Sequence, residues 1–326
     1  MDPFDVEHPP QPVVLPDYLL PVTELPAYTA VTDLREFTDI TEKPLKDGKV
    51  TLMEFGDNFF ILKTVGFQTI ANPLADEEYE IQRHLRFHSH LNIIQPILIQ
   101  VEAARSITKI VYPYAPEGSL FGVQIPNEGT LAILAEQLLR AVRHLHAQGI
   151  LHLSIQPRHL LVYRTGRLVV TGLGVGRLVR TAMRPVSPQH ILVKARVRYG
   201  GAPFNIGARY LAPEYIRAAI ERRDVYANAD ENAPAADMWA VGITLWELFV
   251  GNYPFDGVDF SNPDLPTIYN AIVAAAVPDF LTRASREFRQ FLQCCLQIRP
   301  AERRTANQLL RHPFITGIFG RPVRRR

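Results

Sequence analysis

The 326-residue chain has very little cysteine: only Cys294 and Cys295, side by side. That excludes a disulfide framework and the spaced ligand pairs of a zinc site, and leaves core packing as their expected role. No run of about 18 apolar residues occurs, so no membrane-spanning helix is expected. The first residues also lack the charged-then-apolar order of a secretory signal. There is no internal repeat and no low-complexity segment. Charge of one sign is missing too, with 35 Lys and Arg against 33 Asp and Glu and a net charge of +2. Near-half hydrophobic content suits one large core or two lobes, not a disordered or fibrous chain.

Proline, by contrast, is dense at the start. Pro3, Pro9, Pro10, Pro12, Pro16, Pro21 and Pro26 resist helix and favour extended chain. The apolar residues among them, Val13 to Leu15 and Tyr18 to Leu20, would pack along a domain surface or belong to a disordered leader. Between Thr51 and Thr64 two short strands are expected to meet at Gly56-Asp57, the second ending Phe60-Ile61-Leu62-Lys63. A helix follows from Asp76 to Leu85, with acidic residues in its first turn and Ile81 and Leu85 four apart. Strands are predicted over Ile93 to Val101 and Ile107 to Tyr112. An amphipathic helix over Leu131 to Gln148 is stopped by Gly149. Asp237 to Val250 is apolar on nearly every face and must be buried.

The centre of the chain is Gly149 to Arg177, a strand, a polar loop from His152 to His159, and two strands around Thr165-Gly166. It resembles the catalytic and metal loops of the protein kinases, whose pattern is HRD, a lysine two residues on, an asparagine, and later DFG. His152 stands at the histidine. Leu153, Ser154, Gln156 and His159 replace the arginine, aspartate, lysine and asparagine, and Gly172-Leu173-Gly174 replaces DFG. The glycine loop that covers phosphates is absent, since only Gly48 and Gly56 precede Lys63. Further matches are Ala212-Pro213-Glu214, the Asp237 helix, Gly251 to Phe255, and Ala301 to Phe314, read as the last helix.

The resemblance implies an α+β, bilobal kinase fold. Its expected parts are a Pro-rich extension over 1–44, a kinase-like domain over 45–316 and a basic tail over 317–326. Within the domain the N-lobe runs to about 112, the hinge over about 113–118 and the C-lobe from about 119. By the same register Lys63 takes the phosphate-gripping position, Glu78 its partner with Glu80 as the other choice, and Tyr112 the gatekeeper. Asp237 would contact backbone near His152, and Arg303 would pair with Glu214. These last four are structural assignments.

The replacements carry a chemical expectation. Ser154 bears no charge near neutral pH and cannot serve as base. Gly172 has no side chain, and His159 suits zinc or copper better than magnesium. One carboxylate about 4 Å from a cation is worth about 4 kcal/mol at an effective dielectric near 20, or about a thousandfold in affinity. The expectation is therefore a pseudokinase, not an enzyme, with no catalytic residue, no metal, no cofactor and weak or absent Mg-ATP binding. It would bind proteins rather than nucleic acid. Alternatives are an atypical phosphotransferase using Lys63 and Glu78 with Glu54 or Asp57 as ligands, and a structural part of a secreted matrix or cyst wall.

Leu153 cannot pair with a phosphate on the 177–209 segment, which argues against switching through Thr181 or Ser187. That segment, with Arg177, Arg180, Arg184, Lys194, Arg196, Arg198 and Arg209, is a solvated flap or a docking surface for an acidic partner. Two histidine sets, His84/His88/His90 and His144/His146/His152, lack the cysteine or carboxylate that would complete a metal site. The missing glycine loop and the Pro-rich start resemble secreted apicomplexan kinases of the rhoptry or dense-granule type. That implies secretion into a parasitophorous vacuole or cyst wall.

Overall fold

The computed structural model describes residues 38–39, 50–55, 58–66, 77–105, 107–175, 177–178, 209–221, 232–254, 265–274 and 283–317. The Pro-rich stretch before 38, the Gly56-Asp57 turn, most of the basic segment and the tail after 317 lie outside these residues.

The first half builds a five-stranded antiparallel sheet from β1 (Thr38–Asp39), β2 (Val50–Phe55), β3 (Asn58–Gly66), β4 (Leu98–Glu102) and β5 (Ile107–Pro113), in the order β1-β2-β3-β5-β4. Register is set by β-branched and aromatic residues that alternate across the pleat, with Phe60 opposite Met53 and Ile61 opposite Tyr112. Helix α1 (Glu77–Phe87) buries Ile81 and Leu85 completely, the pair four apart in the sequence.

β4 starts later than its sequence predicts. Residues 92–94 instead meet the second half of the chain, where Ile94 N–H donates to the Val170 carbonyl at 2.9 Å, and pairing with β5 begins at Ile97, whose N–H donates to the Val111 carbonyl at 2.8 Å. Pro96 has no N–H to give a ladder, so the chain cannot pair in the sheet until it has passed that residue.

The rest is helical around a buried axis. Helix α2 (Glu128–Ala147) begins at Asn127, whose side chain accepts from Thr130 N–H, and ends where Gly149 takes φ 70°. Then come β6 (Ile150–Leu151), β7 (Leu160–Val162), β8 (Leu168–Val170), β9 (Arg177–Leu178) and α3 (Pro213–Ile220). Helix α4 (Ala235–Val250) runs through the middle with Met238, Trp239, Val241, Ile243, Leu245 and Trp246 all buried. It is followed by α5 (Leu265–Ala274) and α6 (Arg286–Cys295). A Cβ at Gly242 would lie 2.7 Å from that of Cys295, so glycine there lets α4 and α6 approach. Cys295 is thereby a buried packing residue, and burial pushes its thiol well up.

The stretch 301–314, read as one helix, is three short pieces. A 3₁₀ turn at Pro300–Glu302 precedes α7 (Ala306–Leu309) and α8 (Pro313–Thr316). Thr305 and Gln308 form a capping box and His312 caps the next start, so local side chains satisfy N–H groups that a continuous helix would have used.

Candidate functional site

Between the two halves lies the cleft. On its sheet side, β3 presents Lys63 and α1 presents Glu78, and their side chains form an ion pair with Glu78 only 4% exposed. Glu80 pairs instead with Arg83 on the helix surface. A buried carboxylate needs such a cation, since desolvation without one is costly. Tyr112, 7% exposed, belongs to a cluster with Ile94, Ala115, Leu161 and Val169, which joins residues from both sides.

The polar loop after β6 is organised from below by Asp237 at the start of α4. Its carboxylate accepts from His152 N–H at 2.9 Å, from Leu153 N–H at 2.7 Å and from His146 Nε2 at 2.8 Å. Complete burial opposes ionisation, yet the hydrogen bond and charge of His146, helped by His152, hold Asp237 below its ordinary value. These bonds fix Leu153 at φ 57°, a left-handed conformation rare for a side chain of its size. His152 in turn uses both nitrogens. Nδ1 accepts from Ser154 N–H at 3.2 Å and Nε2–H donates to the Thr171 carbonyl at 2.8 Å, which sets its tautomer.

The replaced positions are in contact with one another. Gln156 Nε2 donates to Ser154 Oγ at 3.1 Å, and His159 Nδ1–H donates to the Ser154 carbonyl at 2.6 Å. The His159 ring lies against Gly172, where an added Cβ would come within 2.4 Å of it. The imidazole thus fills the volume from which a residue at 172 would project. Lys63 is the group that could grip a phosphate. Among the described residues no group of three or more His, Cys, Asp or Glu is placed to hold a metal ion. The set His144/His146/His152 is divided, with His146 on Asp237 and His144 on the His88 carbonyl.

Arg303 makes a bidentate pair with Glu214, both contacts 2.7 Å, and also donates to the carbonyls of Gln297, Ala235 and Ile298. Three features escaped the sequence reading: the His146 contact to Asp237, the packing of His159 on Gly172, and the buried Asn92–Gln137 pair. The last had a signal, a glutamine between Leu134 and Leu138 on the apolar face of α2. The first two depend on residues far apart in sequence.

A profile described as the protein kinase domain matches residues 56–315. Curated relatives include mitogen-activated protein kinase kinase 7 of Arabidopsis thaliana, 30% identical over 63% of this chain and 60% of its own length. Another is mitogen-activated protein kinase kinase 1c of the moss Physcomitrium patens, 27% identical over 64% and 55%. The chain spans just over half the length of such relatives. Among solved structures, the kinase PK-1 of the Cydia pomonella granulovirus aligns with TM-score 0.63 over 86% of this chain and 96% of its own, at 19% identity, a likeness of fold. These relatives correct the expectation that the chain is not an enzyme, since they are named as kinases and point to a kinase. That expectation counted lost charges, whereas phosphoryl transfer also rests on positioning, and the Lys63–Glu78 pair is in place. With a family match over most of its length and the two-lobed architecture around this cleft, the chain belongs to the protein kinase domain family.

Proposed function

We propose that this kinase-domain chain works by binding another protein, as a scaffold or allosteric partner in a phosphorylation cascade. The observation that carries the reading is the made Lys63–Glu78 pair together with the His159 ring packed on Gly172. In the kinase family the pair belongs to the assembled N-lobe, and here the side chains opposite it pack on the chain itself. A partner that recognises the position of α1 then needs no nucleotide to order it. The curated relatives are named as kinases of kinases, so a second kinase is the partner class favoured. The resemblance to secreted apicomplexan kinases would add secretion, which localisation of a tagged chain tests.

A second reading, an atypical phosphotransferase, is favoured by the same Lys63–Glu78 pair and by the relatives' names. The two separate in one experiment: thermal unfolding with millimolar ATP or ADP, with and without magnesium or manganese, alongside phosphotransfer to a generic substrate. Ligand at a hundred times its Kd adds about 2.7 kcal/mol, a shift of a few degrees. The binding reading expects capture of a kinase partner that neither added nucleotide nor Lys63→Ala changes. A shift and transfer that Lys63→Ala abolishes would replace it with the second.

A further inference from the structure

Where α1 ends against α2, four imidazoles meet. His84 and His88 stack with ring centroids 4.2 Å apart and planes 12° apart, and His90 lies 4.9 Å from His144. Each has a defined hydrogen bond. His84 Nε2–H donates to the Gln148 side chain at 3.0 Å, His88 Nδ1–H to the His84 carbonyl at 3.0 Å, and His144 Nε2–H to the His88 carbonyl at 2.9 Å. His90 acts in the opposite sense, with Nδ1 accepting from Asn92 N–H at 3.1 Å. That bond exists only while this nitrogen carries no proton.

Asn92 is the anchor of the loop that joins α1 to the sheet. Its side chain donates to Gln137 Oε1 at 2.9 Å and to the Leu168 carbonyl at 2.8 Å, and its own carbonyl accepts from Val170 N–H at 2.8 Å. The cluster therefore sits on the connection between α1, which carries Glu78, and the helical lobe.

We propose that the imidazole cluster at the junction of α1 and α2 is an acid-sensitive latch, in which protonation of His90 breaks its bond to Asn92 and releases α1 and the following loop from the helical lobe. The groups facing His90 favour this. From α2 they are His144, Arg143 and Arg140, all basic, and with burial as the largest cause they hold His90 down to about 4. Arg140 has Glu136 as its own partner. On α1, His84 and His88 stack on each other. A histidine whose folded value lies below its ordinary value near 6.5 leaves stability complete above that value. As pH falls from about 6.5 toward 4 the unfolded chain takes up the proton first, and that stability is lost. The neighbouring arginines repel the charge that His90 would gain. The latch works whether a nucleotide or a protein occupies the cleft.

The test compares the full chain with the double variant His90→Asn and His144→Gln. Asparagine keeps an acceptor for Asn92 N–H, and glutamine keeps a donor toward the His88 carbonyl, with neither able to titrate. Amide hydrogen exchange, corrected for intrinsic rates, is followed at about pH 7.5 and pH 5. The wild-type segment 77–92 is expected to lose about tenfold or more of its protection at the lower pH, while α4 keeps its own and the variant segment loses little. Equal protection of wild-type 77–92 at both pH values overturns the proposal, as does an equal loss in α4. If the variant does not fold, the wild-type contrast between 77–92 and α4 still decides.

Discussion

Gly172 has φ 83°, and the His159 ring stands where its side chain would be. Two penalties therefore meet at one residue, a backbone conformation that suits glycine and a contact too short for any Cβ. Gly172→Asp, which puts back the residue that the kinase pattern has there, should cost about 2–4 kcal/mol by overpacking and strain together. Its pairing with His159→Asn should recover at least about 1 kcal/mol, because the smaller side chain vacates the contact. Chemical denaturation of the two single variants and the double variant checks this, and strict additivity would mean that the two positions do not share the space.

Among the elements, α4 and the last turns are tied by Arg303. Its guanidinium is fully buried, meets both oxygens of Glu214 at the start of α3, and reaches the Ala235 carbonyl at the start of α4. Arg303→Met keeps much of the volume but leaves Glu214 and three carbonyls without their donor, so a loss of about 3–5 kcal/mol is expected. Arg303→Lys should restore little of it, because one ammonium cannot reproduce a planar bidentate contact. Urea unfolding read by circular dichroism measures both, and a loss under about 1 kcal/mol for the methionine variant would show the pair to be dispensable.

For the whole molecule, the seam between sheet and helices is carried by a few buried groups. Tyr112, Leu161 and Val169 give it apolar contact, and Asn92 gives it hydrogen bonds to Gln137, Leu168 and Val170. Asn92→Ala removes two buried side-chain bonds, although Gln137 Oε1 keeps the Leu168 N–H at 2.9 Å, so a loss of about 1–3 kcal/mol is expected. The expected result is a lower and broader thermal transition as the sheet half unfolds ahead of the helical half. A single sharp transition at an unchanged midpoint would place the coupling elsewhere.

The sequence by itself determined the elements whose signals are local. The β2–β3 strands follow from β-branched and aromatic alternation, α2 from its apolar stripe and Gly149, and α4 from an apolar surface on every side. The kinase architecture was legible because its motifs stand in a fixed order. Only the tertiary structure decided that the imidazole of His159 fills the space over Gly172, that His146 joins Asp237, and that His84, His88, His90 and His144 form one cluster. Those contacts join residues 13 to 91 positions apart along the chain or bring several elements to one point, and neither periodicity nor spacing carries information about which side chains a folded chain brings together.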